Sequence, residues 1–113
     1  MPYIIGVDEK RKAKLEDELN RIIALLPKYD VEKAYLIGSL ARGDVCRTSD
    51  IDLVIVKETN EKFVNRMNDF LMELVPKVGL DLLVYTPAEF SEMLGRSNFL
   101  IQAIKNGRVI YEK

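Results

Sequence analysis

Two aspartates, Asp50 and Asp52, stand two positions apart at the head of the apolar run Ile51-Asp52-Leu53-Val54-Ile55-Val56. If that run is a strand, its side chains alternate, and both carboxylates lie on one face. Carboxylates held together repel unless a cation neutralises them. The pair therefore suits one hard cation or two, although an isolated Asp-x-Asp more often marks a solvent-exposed strand edge. Gly38-Ser39 lies where the stretch Ala34-Tyr35-Leu36-Ile37 breaks. A helix starting there offers free amides and a partial positive charge to a phosphate. Gly38 would permit a close approach and Ser39 would add a hydroxyl. Taken alone, the dipeptide is a turn with a serine cap, and its surroundings lack the spacing of a Walker phosphate loop. Arg42, one helical turn on, is placed for a phosphate or for a pair with Asp44 or Glu32. Asp81 is the third acid. It falls near the start of the apolar run from Leu80 to Tyr85, where a carboxylate without a partner is expensive.

What is missing narrows the chemistry further. The 113 residues contain no histidine and one cysteine, Cys46. Histidine bases, Ser-His and Cys-His nucleophiles and ordinary zinc sites are thereby excluded. Any metal site must use carboxylates, carbonyls and water, which suit magnesium or manganese. A lone cysteine rules out an internal disulfide and is consistent with a reducing compartment. No apolar run approaches a membrane span, and the first residues lack a signal-peptide pattern. The chain is expected in the cytoplasm. The formal charge of −1 gives no basic field for nucleic acid. Lys10-Arg11-Lys12 and Lys14 are followed at once by Glu16, Asp17 and Glu18, so they read as a solvated helix face.

Positioning these residues requires a frame. Leu15, Leu19, Ile22, Ile23 and Leu26 recur at helical spacing, which predicts an amphipathic helix over 9–27, capped by Asp8 and ended by Pro27. Strands are predicted over 33–37, 51–56 and 80–85. A short polar helix or loop runs from Gly38 to about Thr48. A second helix is predicted over 60–76, with Phe63, Val64, Met67, Phe70, Leu71, Leu74 and Val75 on one stripe. Thr86-Pro87-Ala88-Glu89 combines a cap, a proline at the first helical position and a capping-box acid. A helix to about Leu94 follows, then one over 98–105 closed by Asn106-Gly107, then an edge strand over 108–111. The strand–helix–strand crossover from 51 to 85 implies parallel neighbours, and the short connection before it suits antiparallel pairing. Asp50, Asp52, Asp81 and Gly38-Ser39 then converge on one spot. The expected class is α/β (α+β): a small mixed β-sheet flanked by helices, with residues 1–113 as a single domain.

This combination, Gly38-Ser39-x-x-Arg42-Gly43 with Ser49-Asp50-Ile51-Asp52-Leu53 and a later Asp81, resembles the nucleotidyltransferases of the DNA polymerase β superfamily. The short length is similar to the minimal nucleotidyltransferase (MNT) group, whose members are often antitoxins paired with HEPN-domain ribonuclease toxins. The resemblance implies a polymerase-β-like fold and two magnesium ions held by Asp50, Asp52 and Asp81. It implies ATP as substrate, with Gly38, Ser39, Arg42 and Ser49 as nucleotide-binding residues. Asp81 is the candidate base. About thirty residues follow Asp81, too few for an acceptor-holding domain. The expected reaction is therefore transfer of AMP to an external hydroxyl, a tyrosine of a partner HEPN toxin. Two rivals stay open: a module that neutralises a toxin by contact alone, and transfer of a nucleotide to a small molecule.

Overall fold

The computed structural model describes residues 7–113. Asp8 accepts the Arg11 backbone N–H at 2.9 Å and starts helix α1, Glu9–Leu25. Pro27 lies within a tight 3-10 turn, Leu26–Tyr29, that follows it. Strand β1 (Lys33–Ile37) runs straight into the short helix α2 (Gly38–Arg42), and a loop leads to β2 (Ile51–Val56). Helix α3 (Phe63–Leu74) crosses to β3 (Leu80–Tyr85). Helices α4 (Pro87–Leu94) and α5 (Asn98–Asn106) follow, then β4 (Arg108–Glu112). No helix among the described residues is long and apolar enough to cross a membrane.

The strands form one mixed sheet in the order β3-β2-β1-β4. β2 pairs parallel with β3 and antiparallel with β1, and β4 lies antiparallel at the edge beside β1. Alternation gives the sheet two apolar faces. Ala34, Leu36, Ile51, Leu53, Ile55, Leu82 and Val84 pack with Leu15, Leu19, Ile22 and Leu26 of α1 and its following turn, and with Phe70 and Leu74 of α3. Tyr35, Ile37, Val54 and Val56 face the other way and pack against α4 and α5 through Phe90, Met93, Leu94, Leu100 and Ile104. Cover on both sides explains why β2 is almost wholly apolar.

The structure amends α3. Its stripe omits Val64 and Val75, which are 69% and 70% exposed, and gives a buried place to Arg66 instead. Arg66 forks onto Glu89 at 2.6 and 3.1 Å and donates to the Val84 carbonyl at 3.2 Å, so its charge is matched. The helix stops at Leu74 rather than 76. Pro76 disfavours helical backbone at the residue before it, and Val75 takes φ +45° as the C-cap. The capping box at Thr86 and Glu89 is present as expected.

Candidate active site

The strand register aligns the acids. Ile37 pairs with Asp52 across β1 and β2, and Asp52 pairs with Asp81 across β2 and β3. Alternation puts this row on the face covered by α4 and α5, at the sheet end where β1 finishes and β2 and β3 begin. Asp52 and Asp81 come within hydrogen-bonding reach of each other. Burial, reinforced by Asp81 and by the charge of Asp50, pushes the Asp52 carboxyl up to about 6. Asp81 itself is exposed, because β3 is an edge strand, so it escapes the desolvation that its leucine neighbours imply.

Gly38 is required twice over. It has φ +76°, and a Cβ on it would overlap the Asp52 carboxylate. Gly79 plays a similar part for Asp50, whose carboxylate covers the space that a Cβ there would fill. Asp50 lies one residue before β2, and its Oδ1 accepts from Arg11 Nη2 at 3.3 Å. Arg11 Nε also donates to the Ser49 carbonyl at 2.8 Å. The basic run of α1 is therefore more than a solvated face: Arg11 ties α1 to the acid loop. A contact spanning 38 residues leaves no trace in local periodicity, which is why sequence reasoning missed it.

The other expected nucleotide-binding residues divide. Arg42 lines the site, and its Nε reaches Asp44 at 3.3 Å on the surface; it does not pair with Glu32. Ser39 is half-buried in the first turn of α2. The Ser49 hydroxyl is engaged within its own loop, where it accepts the Cys46 N–H at 2.8 Å. The hydroxyls of Ser49 and Thr48 in turn lower the exposed Cys46 thiol to about 7.

Asp52, Asp81, Gly38 and Arg42 open onto a cleft of about 850 Å³. That volume lies within the range of small-molecule sites. Its opposite wall is α5, through Asn98, Phe99, Gln102 and Asn106. By spacing, Phe99, Leu100 and Ile104 suit helix packing or a partner surface, and periodicity does not separate the two. Leu100 and Ile104 do pack on the sheet, but Asn98, Phe99, Gln102, Ala103 and Asn106 line the cleft.

The donor set is all oxygen, and Asp52, partly buried and facing a second carboxylate, carries a negative charge that is unfavourable there, so these residues fit a hard divalent cation. Among the described residues, no three acidic or thiol side chains close on a single point as a ready-made cage. Asp50 leans on Arg11 while Asp52 and Asp81 face each other.

Residues 20–113 match the family described as polymerase beta, nucleotidyltransferase. The chain belongs to that family. Among curated relatives, a candidate protein adenylyltransferase of Methanocaldococcus jannaschii is 34% identical over 92 residues, covering 78% of this chain and 88% of the relative. Two solved structures share the fold of this nucleotidyltransferase. A candidate nucleotidyltransferase from Sulfolobus solfataricus superposes with a TM-score of 0.65 at 19% identity, over 92% of this chain and 86% of the other. A toxin–antitoxin structure with AMP-PNP superposes with a TM-score of 0.54 at 22% identity, over 83% and 73% of the respective chains.

Proposed function

We propose that this nucleotidyltransferase moves AMP from ATP to a protein hydroxyl, a tyrosine of a HEPN-domain toxin, and so acts as the antitoxin of the pair. The observation that carries the reading is the cleft. Two carboxylates on neighbouring strands face each other at its floor, and a glycine without room for a Cβ stands beside them. The similarity to a candidate protein adenylyltransferase of Methanocaldococcus jannaschii supports a protein acceptor. The toxin–antitoxin structure with AMP-PNP supports both the nucleotide and the partner.

Asp52 and Asp81, joined by Asp50, would hold magnesium. When bound, that cation would lower the pKa of the acceptor hydroxyl and neutralise the triphosphate and departing pyrophosphate. The chain's own groups do the rest. The backbone after Gly38, with Ser39, holds the β- and γ-phosphates at the head of α2. Arg42 lies at the same rim with its guanidinium half-exposed, and it can release Asp44 for a phosphate at little cost. The acceptor oxygen attacks the α-phosphorus, the bond to the pyrophosphate breaks, and the acceptor proton passes to a carboxylate. Asp81 is the candidate base, being exposed at the sheet edge where an outside hydroxyl can reach it. Incubation with a cognate HEPN protein, ATP and magnesium should add one AMP to that protein's intact mass. An unchanged mass under conditions where ATP binds would refute the acceptor.

The grip of Arg11 on Asp50 favours one other reading, a module that neutralises its toxin by contact alone. A variant with all three acids changed to Asn separates the two readings. It should fail to neutralise if transfer is the mechanism and should succeed if contact suffices.

A further inference from the structure

Charge is unevenly distributed around the cleft. Every charged residue lining it, Arg42, Asp52 and Asp81, comes from the sheet and α2. The α5 wall contributes one aromatic ring, three carboxamides and Ala103. Phe99 is 66% exposed, although α5 turns Leu100 fully inward, so the ring is left on the surface of the wall instead of in the core. Gln102 follows Phe99 by one helical turn and lies on the same stripe. A nucleoside triphosphate has the same division, with a charged chain at one end and a flat, neutral, edge-polar base at the other.

We propose that the α5 wall is the base subsite, where Phe99 stacks on an adenine and the Gln102 carboxamide reads its edge. This rests on the nucleotidyltransferase reading of the same cleft. Stacking on an aromatic ring accepts any base, since each has a π face. Selection therefore falls to the amides. A carboxamide donates and accepts at once, which matches the N6 donor and N7 acceptor of adenine. The corresponding guanine edge shows two acceptors and calls for Arg or Lys. The α5 wall offers neither.

The chain contains no tryptophan, so Phe99→Trp installs a single fluorescent reporter. With magnesium present, ATP should quench it saturably, GTP should bind about tenfold more weakly, and inorganic tripolyphosphate should bind by calorimetry without quenching. Phe99→Ala removes an exposed ring, so the fold is not at risk. It should weaken ATP binding about tenfold and leave tripolyphosphate affinity unchanged. Gln102→Ala should narrow the ATP-over-GTP preference. The subsite is overturned if Phe99→Ala binds ATP as the wild type does, or if it loses ATP and tripolyphosphate equally. Equal wild-type affinity for ATP and tripolyphosphate would also overturn it while leaving the phosphate site standing. Wild type that binds neither ligand, or Asp52→Asn that binds both undiminished, would bring down the nucleotidyltransferase reading and this inference together.

Discussion

Two groups of acids in this molecule are treated in opposite ways. Glu18 is buried, yet Arg21 grips it through Nε and Nη2 at 2.7 and 2.8 Å, and the Lys77 N–H donates to it at 2.5 Å. Glu89 is likewise forked by Arg66 and accepts the Thr86 N–H at 2.9 Å. The arginine hydrogen bonds hold both carboxyls well below the usual range, at about 2. Asp52 meets the reverse. Burial and the neighbouring Asp81 push it up to about 6. The same functional group stabilises the fold in one region and opposes it in the other. Conflicts of this kind tend to collect at functional sites, and in the proposed function a bound cation would resolve this one.

The sharpest way to break this comparison is to neutralise the acids one at a time. Asp52→Asn and Asp81→Asn should each reduce nucleotidyl transfer by about a hundredfold or more, since charge stabilisation at the reacting centre is lost. The change in stability should go the other way. The folded pKa of Asp52 lies above its ordinary value of 3.8, so the group favours the fold below that pH and loses its contribution as pH rises through about 6. Asp52→Asn should therefore raise the Tm at pH 7.5 and leave it unchanged near pH 4, read by thermal melts. An unfolded variant at pH 7.5 would mean that Asp52 is structural.

Glu18→Gln tests the other half. Breaking this matched, buried group should cost about 2 kcal/mol, less than a fully buried pair because Arg21 is about one-third exposed. Arg21 also donates to the Leu74 and Val75 carbonyls at 3.0 and 3.2 Å, so the end of α3 should loosen too. Magnesium affinity should not move. The native stabilisation from Glu18 and Glu89 is present above their ordinary value of 4.5 and is lost as pH falls towards about 2. Acid unfolding should accordingly begin at a higher pH in Glu18→Gln than in the wild type.

Arg11→Gln is the mildest test. The pair with Asp50 is partly exposed, at 20% and 44% for the two side chains, and such pairs contribute little. Freeing Asp50 from its guanidinium should tighten magnesium binding about threefold by calorimetry. A weakening of tenfold or more would show that Arg11 positions Asp50 for the metal instead of competing with it.

The strands and the meeting of Asp52, Asp81 and Gly38 were legible because each rests on a local rule; the expected convergence of Asp50 on the same spot is not seen, because Arg11 holds it. Alternation sets the face of Asp52, the crossover over α3 sets the parallel pairing that brings Asp81 alongside, and the break at Gly38 marks the turn. What escaped sequence reasoning depends on contacts between distant elements. Arg66 occupies a core position because Glu89, 23 residues away, satisfies it, and no apolar periodicity announces a buried arginine. Arg11 is recruited by Ser49 and Asp50, 38 and 39 residues away along the chain. The cleft wall is built from Asn98, Gln102 and Asn106, whose polarity reads as ordinary helix surface until the sheet opposite is in place. Pro76 is a local signal for the end of α3, and its restriction on Val75 outweighs the apolar stripe.

The central claim is that the cleft binds a metal-chelated nucleoside triphosphate through its unmatched carboxylates. Calorimetric titration of ATP, with and without magnesium, into the wild type and Asp52→Asn tests it directly. Binding by the wild type that needs magnesium, and its loss in Asp52→Asn, is the predicted result. ATP binding that persists without magnesium, or that survives Asp52→Asn unchanged, would contradict the account.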